Sequence, residues 1–258
     1  MRVAAAQLRS TPDPGINAGL VAEWAARAAD AGAQLVVFPE AMMANFTVKL
    51  APLAQTLDGP FVTRAREVAA AHGVWVVAGM FEPADDGRVH NTVIATDGDR
   101  VHHYRKQHLY DSFGSQESKT VKAGTDLVTF EALGTRIGLA TCYDVRFAEQ
   151  FINLRRAGAE VVCLPTSWAP GPQKVDQWQL LVRARAMDAQ AFVLGADQAG
   201  DPNPDDNPKS RAPLGVGYSL VAGPLGEVVA KLGANDDLMV ADLDLDRVPA
   251  ARAAIPMD

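Results

Sequence analysis

Two segments of the chain repeat the same order of apolar and polar positions. In the first, the apolar run Arg2–Gln7 is followed by a helical stretch and then by Ala31–Glu40, AGAQLVVFPE. In the second, Arg136–Cys142 is followed by a helical stretch and then by Ala157–Thr166, AGAEVVCLPT. Each segment therefore predicts a strand, a helix and a second strand, and such continuous apolar runs are typical of strands covered by helices.

Both helical stretches carry an apolar stripe. In the first, Leu20, Trp24 and Ala28 recur at helical spacing, Asn17 is the predicted N-cap and Gly32 the predicted stop. In the second, apolar residues recur every three or four positions before a glycine: Phe147, Phe151, Leu154 and Gly158.

The rest of the chain continues the alternation. The Asp97-Gly98 pair predicts a two-residue hairpin turn, and Asp197–Pro213, rich in Asp, Pro and Asn, predicts a surface loop. The remaining predicted elements are a helix at Pro60–His72, a strand at Val74–Phe81, hairpin strands at Val89–Thr96 and Arg100–Arg105, a long helix marked by Val175 to Ala189, and strands at Phe192–Ala196, Gly217–Ala222, Val228–Lys231 and Leu238–Leu245.

This alternation over residues 1–258 predicts a single α/β domain with no internal boundary. The two similar halves favour two sheets with helices outside them over one doubly wound sheet. Short β-α-β units can also resemble one another through composition alone, and that alternative stays open.

Composition narrows the class of protein. A chain of 258 residues that is 48% hydrophobic buries a large core, which excludes disordered and fibrous classes. A net charge of −7 argues against nucleic acid or anionic lipid as a partner. Apolar stretches such as Gly73–Phe81 fall short of the roughly 20 residues of a membrane helix, and Gln7 and Arg9 interrupt any secretory leader. We expect a cytoplasmic protein that does not enter membranes.

Two cysteines exclude a disulfide framework and a four-cysteine zinc site. Cys142 ends a predicted strand just before a helix, where the helix dipole would favour a thiolate and a developing oxyanion. A buried, inert cysteine is an equal alternative. Cys163 lies in the middle of a predicted strand, and we assign it to the core.

A nucleophilic cysteine needs a base. All five histidines precede Cys142, which excludes the papain-like and α/β-hydrolase orders, and LATCYDV lacks the caspase signature. Glu40, after Phe38-Pro39 at a strand end, can converge with Cys142, although on pattern alone a solvated loop residue is the more common outcome for a glutamate. Lys106, just after the hairpin, can likewise be an ordinary surface charge. The neighbouring histidines match no common zinc spacing, so we predict no metal site.

Three motifs together resemble the nitrilase, or carbon–nitrogen hydrolase, superfamily: Phe38-Pro39-Glu40, Tyr104–Leu109 (YRKQHL) and Thr141–Phe147 (TCYDVRF). Phe113–Gly124, Arg183–Ala186 and Asp242–Asp244 extend the match along the chain. The sequence looks like the small bacterial amidases of the omega-amidase and deaminated-glutathione-amidase branch. This resemblance implies a four-layer α-β-β-α sandwich of two mixed sheets.

The resemblance also implies roles for single residues. Glu40 would be the general base, Lys106 the oxyanion stabiliser and Cys142 the nucleophile, with the second glutamate of the family at Glu117. The backbone N–H of Tyr143 would help to bind the oxyanion. Trp168 would line the acyl pocket, although a buried structural tryptophan is an alternative.

The implied activity is that of a cofactor-free amidase, which hydrolyses a small aliphatic or omega-carboxamide through a cysteine thioester. Tyr143 stands where true nitrilases usually carry tryptophan, which argues against nitrile hydrolysis. Departures from the common pattern at Phe147-Ala148-Glu149 and Asp188-Ala189-Gln190 leave the outer substrate contacts open. The resemblance further implies at least a homodimer.

Two alternatives remain. One is an N-carbamoyl amino acid amidohydrolase with the same triad, in which Arg146, Arg183 and Arg185 would bind the substrate carboxylate, although surface ion pairs also account for them. The other is a non-catalytic binding protein of the same fold, against which the intact triad argues.

Overall fold

The computed structural model describes residues 1–200 and 212–257, so most of the loop predicted at Asp197–Pro213 lies outside the described residues. The strands are β1 (Arg2–Gln7), β2 (Leu35–Val37), β3 (Trp75–Pro83), β4 (Val89–Thr96), β5 (Val101–Arg105), β6 (Thr129–Ala132), β7 (Thr135–Leu139), β8 (Val161–Thr166), β9 (Phe192–Asp197), β10 (Leu220–Ala222), β11 (Val228–Lys231) and β12 (Asp237–Asp242). The α-helices are α1 (Pro14–Asp30), α2 (Pro60–His72), α3 (Ala148–Arg156), α4 (Lys174–Ala189) and α5 (Arg247–Ala254).

The strands form two six-stranded sheets, in the orders β12-β1-β2-β3-β4-β5 and β11-β10-β9-β8-β7-β6. In each sheet, three neighbouring strands run parallel and the outer strands pair antiparallel. The registers also correspond, because Val3 pairs with Leu35 in one sheet and Ile137 with Val161 in the other. The repeat seen in the sequence is therefore a duplicated topology.

Side-chain direction along the strands creates the layers. In β2, Val36 packs against the helices α1 and α2, whereas Leu35 and Val37 face the opposite sheet. In β8, Val162 packs towards α3 and α4, and Cys163 lies between the two sheets. The predicted α-β-β-α sandwich and the core position of Cys163 are confirmed.

The start of α1 differs from the prediction. Asp13 is the N-cap, and its carboxylate accepts hydrogen bonds from the N–H groups of Gly15 and Ile16. Pro14 at the first helical position lacks the N–H that a helix start leaves unpaired. Asn17, the predicted cap, is instead buried inside the helix, where its amide donates to the Thr11 and Met43 carbonyls. The prediction was wrong because a polar residue can face inward when buried carbonyls accept from it.

The hairpin between β4 and β5 turns over residues 97–100 and not over two residues. The Asp97 carboxylate accepts from the N–H groups of Asp99 and Arg100, which stabilises the longer turn. Phe147, predicted inside the following helix, is the N-cap of α3. Among the helices that the structure describes, none combines the length and apolar character needed to cross a bilayer.

Candidate active site

The sequence-predicted site residues surround one cavity of about 220 Å³. Phe38 and Pro39 separate β2 from Glu40, and Ala140 and Thr141 separate β7 from Cys142. The other predicted residues on the cavity wall are Lys106, Glu117, Tyr143 and Trp168. Segments that leave both sheets thus bring together all six residues named from the sequence.

An ammonium group lies between two carboxylates in this cavity. The Nζ atom of Lys106 is 2.9 Å from Glu40 Oε1 and 3.0 Å from Glu117 Oε2. The exposed fractions of the three side chains are 2% for Lys106, 1% for Glu40 and 9% for Glu117. Burial of three charges is costly even when they are paired, so this arrangement is more readily explained by function than by stability.

Asn91 in β4 connects the two carboxylates and was missed in the sequence. Its Nδ2 group donates to Glu40 Oε1 at 2.7 Å and to Glu117 Oε1 at 3.2 Å, and its carbonyl accepts from the Lys106 N–H. Every residue of β4 is buried. A buried amide needs hydrogen-bond partners. An asparagine within such a strand was therefore the feature of the sequence that could have identified Asn91 as a site residue.

Hydrogen bonds and close packing fix both the side chain and the backbone of Glu40. Glu40 Oε2 accepts from the Ser167 N–H at 2.9 Å, and the Glu40 carbonyl accepts from Gln198 Nε2 at 3.0 Å. A Cβ atom added to Gly79 would lie 2.8 Å from Glu40 Cα and 2.6 Å from the nitrogen of Ala41. The Glu40 loop therefore rests directly on the β3 backbone, in a space that only glycine leaves.

Cys142 has a left-handed backbone, with φ of 46°, at the start of a short 3₁₀ turn, Cys142–Arg146. The reciprocal bonds between Thr141 and Asp144 cap this turn, and Cys142 Sγ lies 3.8 Å from the Ser167 carbonyl oxygen. A non-glycine residue in this conformation stores about 1–3 kcal/mol of strain and persists only when its surroundings impose it. The strained backbone turns the thiol into the cavity.

Asp144 links the Cys142 turn to the Lys106 segment. It accepts hydrogen bonds from Tyr104 Oη at 2.7 Å and from the His108 N–H at 3.0 Å. Tyr104 and His108 flank Lys106 on both sides. The buried carboxylate of Asp144 thus fixes the ammonium and the thiol relative to each other.

Burial and neighbouring charges set the protonation of the site. Burial raises the pKa of Glu40, and Glu117 adds to this shift while Lys106 opposes it. Burial opposes the charge of Lys106, but Glu117 and Glu40 raise its pKa well above the usual range. Burial and the charge of Glu40 raise the pKa of Cys142. This direction is opposite to the expectation that a helix terminus favours a thiolate, because burial outweighs any effect of the five-residue 3₁₀ turn.

Tyr143 and Trp168 both lie on the cavity wall. The Tyr143 hydroxyl is 2.9 Å from Ser112 Oγ. Trp168 is 3% exposed, and its indole N–H donates to the carbonyl of Lys174 at 2.9 Å. Trp168 therefore both lines the cavity and serves as a structural residue.

All three arginines considered for a carboxylate pocket have partners within the chain, and Arg146 donates from Nη2 to Gln177 Oε1 at 2.8 Å. Arg183 donates to the Gly226 carbonyl, and Arg185 pairs with Asp188 at 2.7 Å. Arg146 alone lies beside the cavity, with its guanidinium carbon 5.1 Å from the centre of the Trp168 ring. Within residues 1–200 and 212–257, no group of three or more His, Cys, Asp or Glu side chains is arranged to hold a metal ion.

Comparisons with known proteins show which family the chain matches. The family model described as carbon–nitrogen hydrolase matches residues 2–253. The hydrolase Rv0480c of Mycobacterium tuberculosis is 49% identical, covering 99% of this chain and 93% of that protein. The deaminated glutathione amidase of Escherichia coli O157:H7 is 33% identical, covering 100% and 95%.

Solved structures extend the similarity to the fold. An amidase from Nesterenkonia sp. has a TM-score of 0.81 and 28% identity, covering 98% of this chain and 94% of that one. The Nit3 protein of Saccharomyces cerevisiae, a member of the nitrilase superfamily, has a TM-score of 0.85 and 25% identity, covering 100% and 94%.

Proposed function

Since the chain belongs to the carbon–nitrogen hydrolase family, and is thus a hydrolase of carbon–nitrogen bonds outside peptides, we propose that it is an amidase. It hydrolyses a small aliphatic or omega-carboxamide to a carboxylic acid and ammonia. The observation that carries this proposal is the buried Lys106 ammonium, held by Glu40 and Glu117 on the wall of the cavity that Cys142 enters.

The first half of the reaction forms a thioester. Glu40 takes the proton of the Cys142 thiol, whose raised pKa makes a base necessary, and Sγ attacks the amide carbonyl carbon. The Lys106 ammonium and the Tyr143 N–H stabilise the oxyanion. The carbon–nitrogen bond then breaks, Glu40 returns the proton to the leaving nitrogen, and ammonia departs.

The second half hydrolyses the thioester. Glu40 accepts a proton from water, whose oxygen attacks the thioester carbonyl carbon. The carbon–sulfur bond breaks, the carboxylic acid leaves and the Cys142 thiol regains its proton. Glu117, 3.0 Å from the Lys106 ammonium, keeps it in place. The proposed steps use only side chains of this chain, the Tyr143 N–H and water.

The size of the cavity supports a small substrate. A volume of about 220 Å³ accommodates an amide of a few carbons. A cysteine-to-alanine mutant of the Nesterenkonia sp. AN1 amidase, 26% identical with a TM-score of 0.81, was solved in complex with butyramide. Short aliphatic amides are therefore the first substrates to test.

Ammonia release from propionamide tests the proposal. We expect Cys142→Ala to lose activity by a factor of about 10⁴ or more, because no nucleophile remains. Cys163→Ala is the matched control: Cys163 is buried between the sheets, so the protein should lose some stability but keep its turnover. Full activity in Cys142→Ala protein of normal circular dichroism would contradict the proposal.

The same assay separates the two enzyme hypotheses. The amidase proposal predicts a higher kcat/KM for propionamide than for an N-carbamoyl amino acid, because two of the three arginines considered for that alternative, Arg183 and Arg185, are engaged away from the cavity. Preferred turnover of the carbamoyl compound would favour the alternative. No ammonia from any amide would favour a binding protein of this fold.

We also propose that the chain assembles as a homodimer. Leu180 and Met187 on α4 are 65% and 50% exposed, and covering such apolar side chains favours association. Light scattering at micromolar concentration should give at least twice the mass of the chain, and a monomer would contradict this. The cytoplasmic location expected from the sequence stays a prediction.

A further inference from the structure

We infer that Lys174 is the specificity-determining residue of the cavity: its ammonium binds a carboxylate at the far end of the amide substrate. This inference rests on the proposed amidase function. It adds to the six site residues named from the sequence a seventh, which binds substrate without entering the bond-breaking steps.

Lys174 is the first residue of α4 and lies on the wall of the same cavity as Glu40 and Cys142. It is only 7% exposed. The Trp168 indole N–H donates to the Lys174 carbonyl, which fixes the start of the helix against the cavity wall. The side chain is therefore an inward cation and not a solvated surface charge.

Aromatic rings surround this ammonium. Nζ lies 3.8 Å from the centre of the Phe113 ring, 5.7 Å from that of Trp168 and 5.9 Å from that of Tyr110. Ring faces attract a cation, but they do not replace the hydrogen bonds that an ammonium makes with water or a carboxylate. The rings thus hold the charge in place, and within residues 1–200 and 212–257 no hydrogen-bond acceptor occupies its donors.

The charges around Lys174 are unfavourable for a cation. Burial and the nearby Arg146 both lower the pKa of its ammonium. A cation in the first turn of a helix also opposes the helix dipole. Within residues 1–200 and 212–257, no carboxylate forms an ion pair with Lys174, whereas Lys106, on the same cavity wall, has two such partners.

A bound anion would offset the buried charge of Lys174, its repulsion from Arg146 and its unfavourable position at the helix start. Arg146 packs its guanidinium on the same Trp168 ring; its Nη2 donates to Gln177, while its buried Nε has no partner among the described residues. A carboxylate beside Trp168 would meet both cations. The ligand class is therefore a short carboxamide whose other end carries a carboxylate, with the amide at Cys142 and the carboxylate at Lys174.

A matched pair of substrates tests the inference. Glutaramate carries the carboxylate, and in hexanamide an ethyl group takes its place. We expect Lys174→Met to lower the ratio of kcat/KM for glutaramate to kcat/KM for hexanamide by about 10-fold to 100-fold, mainly through KM, because a charged hydrogen bond is lost. Lys174→Arg keeps the cation and should retain most of the ratio.

Lys231→Met, which removes an exposed cation from β11, is the control and should leave the ratio unchanged. If Lys174→Met changes kcat/KM for both amides alike, or if the Lys174→Arg ratio falls as far as that of Lys174→Met, the inference is wrong while the amidase proposal stands. If the unaltered protein releases no ammonia from either amide, the amidase proposal itself fails.

Discussion

The strand registers allow the two halves of the duplicated fold to be compared residue by residue. Because Leu35 of β2 and Val161 of β8 occupy the same register, Glu40 in the first half corresponds to Thr166 in the second. Because Val3 of β1 and Ile137 of β7 also correspond, the counterpart of Cys142 is Leu8.

The side chains of Thr166 and Leu8 make different contacts from those of Glu40 and Cys142. The Thr166 hydroxyl donates to the Leu164 carbonyl at 3.1 Å, and Leu8 is packed in the apolar layer beneath α1 and α2. The duplicated fold thus supplies matching strand ends in both halves. The first half contributes the charged pair Glu40 and Lys106, and the second contributes the thiol of Cys142, so the proposed site needs both halves.

The largest effect should come from a substitution at Glu40, which corresponds to Thr166 in the second half. Glu40→Gln keeps the shape but removes the base, and we expect kcat for propionamide to fall by about 1,000-fold. Thr166→Val, at the corresponding position, removes only one hydroxyl donor and should change kcat by no more than about 3-fold. Equal losses in the two variants would mean that the halves do not divide the chemistry in this way.

Asn91 provides the next test. If the pairing of β9 with β10 is continued beyond the strands, the residue that corresponds to Asn91 in the second half is Gly217, which carries no side chain. Asn91→Leu removes the donor to Glu40 and Glu117, and we expect kcat to fall by about 10-fold to 100-fold. The donated hydrogen bond favours the charged form of Glu40, so its loss raises the pKa of Glu40 further. The acidic limb of the profile of kcat/KM against pH should therefore move to higher pH.

The control for this variant is Asn17→Leu, which removes a buried asparagine whose side chain hydrogen-bonds with the Thr11 backbone and the Met43 carbonyl and not with the carboxylate of Glu40 or Glu117. It should lower the free energy of unfolding and leave the acidic limb in place. An unmoved limb in Asn91→Leu would show that Asn91 supports the fold but does not tune Glu40.

A smaller effect is expected at Gly79, whose counterpart is Ala196 of β9. Gly79→Ala places a methyl group against the Glu40 backbone, and we expect activity to fall by about 10-fold with a loss of about 1–3 kcal/mol in the free energy of unfolding. Ala196→Gly should cost about 1 kcal/mol or less and spare activity. Normal turnover in Gly79→Ala would show that the Glu40 loop can move without consequence.

Much of this architecture is visible in the sequence because the repeat lies in apolar runs. Arg2–Gln7 forms its strand as the pattern predicts, whereas the predicted strand Arg136–Cys142 is Thr135–Leu139 in the structure and ends three residues before Cys142. The weaker β6 and α5 were missed, since Thr129–Ala132 is short and Arg247–Ala254 carries two arginines and a proline, which obscure its apolar face.

The predicted triad, Glu117, Tyr143 and Trp168 meet at one cavity, because their motifs stand at strand ends or in the loops that follow. Asn91 and Lys174 were missed for a physical reason. Whether an asparagine bridges two carboxylates, or a lysine lacks an ion pair, depends on residues far away in the chain. Local pattern therefore does not reveal either feature.

The most direct test of the central claim is mass spectrometry of the acid-quenched protein during turnover of a slow amide. The account predicts an added acyl group on the peptide that contains Cys142 and none on the peptide that contains Cys163. Alkaline hydroxylamine should remove the group, as expected of a thioester. Turnover with an acyl group on another residue, or with none on Cys142 under conditions that preserve thioesters, would contradict the account.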